Sequence, residues 1–215
     1  MRIVSVSEDK KIEKRIAITP EIAKKYISLG FEVSINTDYG KHLGFEDSAY
    51  ENLGVKVSKD ENSIFRRASE LLVKNKILAI CRGGAEFGAR ALGNRSIICN
   101  PRNFENVAKI NKTVKNRDFW MPFAATVIDR YSKKYFKIKG SNSANYKYMT
   151  NCLDTNPLFY EKLQAVIHPY DKTCRPQILT KSENPFYYKL INQFGKLSGI
   201  YAILNTSFNT HGNPI

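Results

Sequence analysis

No two of the four cysteines (Cys81, Cys99, Cys152, Cys174) form a CxxC pair, and the histidines His42, His168 and His211 form no HxxxH or HExxH pair. A zinc site of ordinary spacing is missing from the pattern, and a helical metal site finds no support. No apolar run approaches the roughly 20 residues that span a bilayer. The amino terminus, MRIVSVSEDKK, turns charged too early for a secretory signal. Free thiols, a cytoplasmic location and no membrane partner follow as expectations. Glycine never opens a helix in a GxGxxG run and never precedes a Lys-Ser/Thr pair, so the dinucleotide fingerprint and the Walker A loop are both lacking. Internal repeats and low-complexity tracts are lacking too.

Hydrophobic residues make up 42% of the chain and aromatics 12%, which suits a packed core and excludes disorder throughout. Charge is unevenly divided. Residues 1–65 hold 10 Lys/Arg against 11 Asp/Glu, a balance of −1, while residues 66–215 hold 24 against 9, or +15. Such asymmetry points to different partners for the two parts. An anionic partner suits the basic part, although for its lysines in general a solvated surface is the favoured reading and the arginines near 82–117 are a separate case. A nucleic acid finds no recognition motif there, which disfavours that partner.

Both parts read as α/β. Residues 2–7 alternate as a strand, and Thr19-Pro20-Glu21 opens a helix by a capping hydroxyl, a first-turn proline and an acid at the positive end of the dipole. Gly30 is placed to stop it. A strand over 31–35, a helix over 46–53 and a strand over 55–57 complete the front of a parallel, Rossmann-like sheet. Three strands and two helices cannot cover both faces of such a sheet, so residues 1–65 are expected as part of a domain and residues 66–215 as a second one.

Beyond Phe65 the pattern predicts a helix over 68–74, strands over 77–80 and 96–99, and an Asn103-capped helix with Val107, Ile110 and Val114 on one face. Residues 131–160 read as a long ordered loop. Asn184-Pro185 opens a helix that Gly199 ends, and a strand over 200–204 delivers a loop made of Asn205-Thr206-Ser207-Phe208-Asn209.

Chemistry concentrates in the basic part. Arg82, Arg90, Arg95, Arg102, Lys112, Lys115 and Arg117 are interleaved with Gly83, Gly84, Gly88 and Gly93. Glycine admits close approach of backbone N–H groups to an anion, and arginine forks bind phosphate oxygens in pairs, so this run describes a phosphate cradle. Glycine turns flanked by surface arginines would look the same. Short polar residues after an apolar strand, as at Asn205 to Ser207, suit a ligand site at a strand's carboxyl end, or an ordinary Asx or Ser/Thr turn. Ser207 lacks a GxSxG frame and is read as a donor to an anion; no catalytic residue is assigned. His168 has only Asp171 as a neighbouring carboxylate and reads as structural.

Residues 86–97, EFGARALGNRSI, resemble the EFGPRALGNRSI signature of the O-carbamoyltransferase family of nodulation and antibiotic-tailoring enzymes. The similarity continues through Asn100-Pro101-Arg102, Val114-Lys115, Pro122-Phe123-Ala124, Arg175-Pro176-Gln177, Asn184-Pro185-Phe186 and NTSFN with His211-Gly212, over residues 66–215. The resemblance implies that family's carboxyl-terminal, YrdC-like domain with a twisted α/β sheet. It implies binding of carbamoyl phosphate and ATP, with magnesium accompanying the nucleotide, and formation of a carbamoyl-adenylate. Arg90, Lys115, Arg175, Asn205 and Ser207 are then its anion ligands. It also implies a partner in a separate, iron-binding half that holds the acceptor, and further family sequence after the HGNPI segment. Two positions depart from the pattern: Ala89 replaces a proline, and Met121 stands where a second arginine is expected.

Residues 15–21, RIAITPE, with Leu29-Gly30-Phe31-Glu32-Val33 and Gly44-Phe45, resemble the start of alanine dehydrogenase and of the NAD(P) transhydrogenase alpha subunit. The resemblance matches Arg15 to a substrate-binding arginine. That family's dinucleotide domain is not matched, so no NAD is expected. The leading expectation is a carbamoyltransferase-type domain; the alternatives are a transhydrogenase-like fragment and an inactive fusion remnant.

Overall fold

The computed structural model describes the chain apart from residues 1, 6, 8, 9, 12, 59, 60, 116–120, 139–142, 211, 212 and 215, and describes the backbone alone of 2, 61–63, 143, 144, 210, 213 and 214. Arg117, His211 and Gly212 therefore lie outside the described residues, as does Val6 in the strand expected over 2–7.

The first part forms β1 (Arg2–Val4), α1 (Pro20–Ser28), β2 (Glu32–Asn36), α2 (Asp47–Glu51) and β3 (Lys56–Ser58). Thr19 caps α1 as its spacing requires, its hydroxyl accepting from the Ile22 N–H at 3.3 Å. Gly30, at φ +81°, lets the chain reverse into β2. Two buried tyrosines hold the RIAITPE segment. The Tyr39 hydroxyl accepts from the Ala17 and Ile18 N–H groups, and the Tyr50 hydroxyl donates to the Ile18 carbonyl.

α3 (Glu61–Val73) begins seven residues before the helix read from sequence, so it runs through the compositional seam at Phe65. After it come β4 (Leu78–Cys81), β5 (Arg95–Cys99), α4 (Glu105–Ile110), β6 (Ala124–Ile128) and α5 (Asp129–Tyr135). The stretch expected as one long loop contains most of α5, β7 (Leu153–Asp154) and the start of α6 (Tyr160–Leu163). Short polar-aromatic elements carry too little apolar periodicity to be read from sequence. Then follow β8 (Thr173–Cys174), β9 (Gln177–Leu179), α7 (Pro185–Ser198), β10 (Ala202–Ser207), β11 (Asn209–Thr210) and β12 (Asn213–Pro214). The ends of α7 are as the sequence predicts: the Asn184 side chain accepts from the Tyr187 N–H, and Gly199 takes φ +74°.

The fold is α/β. Eight strands make one mixed sheet in the order β3-β2-β1-β4-β5-β10-β6-β9. β3, β2, β1 and β4 run parallel, and β5 and β10 turn antiparallel to their neighbours. The two sequence styles thus share a single sheet. β4 is the junction, with β1 on one edge (Ile3 opposite Ala79) and β5 on the other (Ala79 opposite Ile97). Side-chain packing divides more sharply. One buried cluster joins Ile18, Val33, Ile35, Tyr39, Tyr50 and Val55, and a larger one begins at Phe65 and runs to Leu204.

A chain starting at Glu61 should keep the larger core but expose the β4 edge, which invites strand pairing with a second copy. It is expected to show folded circular dichroism and to elute above monomer size. A stable monomer would mean that β1 contributes nothing to protecting that edge.

Candidate functional site

Four residues named from sequence, Arg90, Arg175, Asn205 and Ser207, line one cleft of about 390 Å3 with Ala89, Ala91, Pro122, Phe123, Ala124, Met149 and Thr206. Among the described residues, no carboxylate lines it. Among the described residues, neither Arg90 nor Arg175 has an ion pair or hydrogen bond to its guanidinium. A wider hollow of about 770 Å3, against Lys56, Ser58 and α3, also presents arginines. There Glu70 pairs with both Arg66 and Arg67, at 3.1 and 3.5 Å, so the charge is largely neutralised.

The fifth residue adjoins the cleft. Lys115 is 5% exposed, and its ammonium donates to the Ser207 hydroxyl at 3.2 Å, the Asn209 carbonyl at 3.0 Å, the Ser207 carbonyl and the Asn209 side-chain oxygen. It therefore ties the turn after β10, across 92 residues of sequence, and places a positive charge behind Ser207. Val114 packs against the same core as Val107 and Ile110, as their spacing predicts, and the π-helical turn of residues 111–115 also brings Lys115 inward.

Asn205, Thr206 and Ser207 lie within β10 and not in a loop after it. Apolar periodicity ends at Leu204, but antiparallel neighbours on both sides, with Asn205 opposite Ile98 and Ala124, keep the backbone paired. Both amide hydrogens of Asn205 are engaged at 3.0 Å, by the Ala91 carbonyl and the Thr126 hydroxyl. Asn205 thus has no donor left for an anion in this arrangement, and its role in the cleft must come through its oxygen or its hold on the Arg90 loop.

The glycine-bearing run is only partly a cradle. Arg95 gives its guanidinium to the carbonyls of Arg82, Gly83 and Asn94. Arg82 stacks on the Phe186 ring at 4.2 Å, and Arg102 borders a different hollow beside Asn75 and Asn100. These arginines shape or flank the loop, leaving Arg90 as its cation in the cleft. Glu86 organises it: one carboxylate oxygen accepts from the backbone N–H groups of Leu92, Asn94 and Arg95 at 2.7, 2.7 and 3.2 Å. Gln177 donates to the Leu92 carbonyl at 3.1 Å and accepts from Thr126 at 2.8 Å. The carbonyls of the two residues after Arg90 are thus pinned to β9 and β10.

Sequence reasoning gave Glu86, Thr126 and Gln177 no role. A readable signal existed for the last two, since each is a polar residue in an otherwise apolar buried strand. Met149, which walls the cleft with φ +56°, had none. Replacing Glu86 by Ala strands three backbone donors, and each unsatisfied buried group costs about 1–3 kcal/mol. Glu86→Ala should weaken anion binding about tenfold in titration calorimetry, with Glu86→Gln recovering most of it. Equal losses in both variants would refute the positioning role.

Burial pushes the Cys174 thiol, next to Arg175, up to about 12, so it packs there as a neutral group. Burial likewise raises Tyr187, keeping its hydroxyl a neutral partner of Thr126. His168 does not line the cleft; its Nδ1 accepts from the Tyr170 and Asp171 N–H groups and builds a turn. Met121 is half-buried and does not line it either. Arg15 is exposed and forks onto Glu13, holding that carboxyl down to about 2.

Residues 69–215 match the family described as Carbamoyltransferase C-terminus. The chain belongs to this carbamoyltransferase family. Among curated relatives, the nodulation protein NolNO of Sinorhizobium fredii is 34% identical over 154 residues, 72% of this chain and 22% of that protein. The nodulation protein NolO of Bradyrhizobium diazoefficiens is 32% identical over 154 residues, covering 72% and 28%. An uncharacterized protein of Methanocaldococcus jannaschii is 38% identical over 148 residues, covering 69% and 24%. The chain thus spans about a quarter of these relatives' lengths. Residues 5–79 match the N-terminal domain of alanine dehydrogenase and PNT. The two family matches overlap at 69–79, so the end of α3 and the first half of β4 serve both patterns. Among the described residues, no helix is long and apolar enough to cross a membrane.

Proposed function

We propose that the cleft binds carbamoyl phosphate and ATP in the cytoplasm and forms a carbamoyl-adenylate, the transferase half-reaction implied by the family: water cleaves carbamoyl phosphate to carbamate and inorganic phosphate, and a carbamate oxygen displaces pyrophosphate from the α-phosphorus of ATP. The observation that carries this reading is a pair of guanidinium groups, Arg90 and Arg175, that line one cleft and, among the described residues, have no ion pair and no carboxylate beside them in its lining. Fixed positive charge at such a place offsets phosphate oxygens and the charge that develops on phosphorus during transfer. Lys115 adds a third cation behind Ser207. Among the described residues the lining offers Mg2+ no carboxylate, so these residues do not fit a protein-held magnesium site, and no step is assigned to the metal. Delivery to an acceptor hydroxyl falls to residues outside this chain, in a separate iron-containing half.

Titration calorimetry of the full chain tests the reading. Carbamoyl phosphate and ATP should each release heat, with affinity falling as salt rises. Carbamoyl phosphate should also drive pyrophosphate exchange into ATP. A folded protein that binds neither ligand would support an inactive remnant instead.

A further inference from the structure

β6 and β10 both reach the cleft, at Ala124 and at Asn205 to Ser207. Their other ends meet where the Ile128 N–H donates to the Tyr201 carbonyl, and α5 leaves β6 at that point. Phe136 bridges to Thr155, and the Lys137 N–H donates to the Asp154 carbonyl, so α5 is tied to the stretch that leads into α6. Residues 129–137 and 153–163 hold the cations Arg130, Lys133, Lys134, Lys137 and Lys162 against the acids Asp129, Asp154 and Glu161. Among the described residues, none of these cations has an ion pair. Aromatic rings hold three of them in place. The Lys134 and Lys162 ammoniums sit over the Phe159 ring, 5.7 and 5.5 Å from its centre. Arg130 lies over the Tyr131 ring at 5.2 Å and donates to the Asn192 side chain. A cation resting on a ring has lost part of its freedom before a partner arrives, which lowers the cost of binding. Leu158, next to Phe159 in the chain, is 82% exposed.

We infer that this face, at the end of the sheet away from the cleft, docks an acidic segment of a partner protein in which an apolar side chain stands among carboxylates. The unpaired cations answer the carboxylates, and Leu158 answers the apolar group. Bases of a single-stranded nucleic acid would need an open aromatic face, and these rings offer little. Tyr201 stacks on Tyr131 at 3.8 Å, and Gly195 backs Tyr201 so closely that a methyl group there would lie 2.2 Å from the ring. Phe159 is only 8% exposed. Arginine and tyrosine, both present here, are residue types that carry binding energy at protein interfaces. Docking at this face needs no ligand in the cleft.

Fluorescence anisotropy with the full chain and a labelled synthetic peptide, a leucine flanked by glutamates, tests the docking. The peptide should bind, and its counterpart with glutamines should bind about tenfold more weakly. Replacing the two ring-bound lysines together, Lys134→Gln with Lys162→Gln, should weaken the glutamate peptide about tenfold at low salt, and Leu158→Ser about threefold. Lys24→Gln with Lys112→Gln removes the same charge from exposed positions elsewhere and should change affinity by less than about twofold. Carbamoyl phosphate should not displace the peptide. Failure of the peptide to bind, equal losses in the two lysine pairs, or displacement by carbamoyl phosphate would each overturn the docking surface. A mixed-sequence RNA oligonucleotide that bound more tightly, and weakened in the variant with Lys134→Gln and Lys162→Gln, would overturn it as well by making nucleic acid the occupant.

Discussion

Replacing Arg90 or Arg175 by Ala is expected to weaken carbamoyl phosphate and ATP binding about tenfold to a hundredfold each. A hydrogen bond to a charged group contributes about 1.5–3 kcal/mol, and 1.4 kcal/mol is a factor of ten in affinity. The two side chains reach the cleft from stretches 85 positions apart. Neither is held by a carboxylate, so removing one leaves no buried countercharge and should barely move the melting temperature. The double variant should show no measurable heat. Losses that simply add would indicate separate sites, whereas groups clasping one anion couple by a measurable fraction of their summed effect. Arg82→Ala and Arg102→Ala are the controls. Neither residue lines the cleft, so their effects on affinity should stay within about threefold, as expected for remote charges screened by salt.

The second large effect should come from Gly93→Ala. Gly93 has φ +118°, a conformation that side chains rarely adopt, and a methyl group there would meet the Tyr187 ring at 2.3 Å. Strain of about 1–3 kcal/mol adds to about 1–3 kcal/mol of overpacking. At 215 residues each kcal/mol shifts the midpoint by roughly 2–4 °C, so a fall near 10 °C is expected by scanning calorimetry. Tyr187 is buried in α7 with its hydroxyl on Thr126, so it cannot swing away without breaking the network that anchors Asn205. Anion affinity should fall along with stability. A midpoint within 2 °C of the natural protein would mean that the ring and loop separate freely, and the account of a rigid Arg90 loop would fail.

Helix ends were legible because their signals act within a few residues. Thr19 and Asn184 bond to N–H groups three positions away, and Gly30 and Gly199 reverse the chain where a side chain would be strained. The same local logic misjudged β10, whose continuation through Asn205 depends on strands that arrive from elsewhere in the chain. It also missed the π-helical turn, since one extra residue per turn leaves no mark on composition. Of the arginine-glycine run, Arg90 lines the cleft and Arg95 does not. Spacing cannot show whether a guanidinium turns back onto its own loop's carbonyls.

By itself the sequence determined the family and the α/β character, because motif and periodicity are written along the chain. Tertiary structure alone decided that Arg90 and Arg175 face one cleft and that Lys115 closes on Ser207. It alone decided that β1 joins β4, so that two sequence styles share one sheet. These are contacts between segments tens of residues apart. They form only when burial of two cores outweighs the entropy of closing long loops, a balance that belongs to the whole chain.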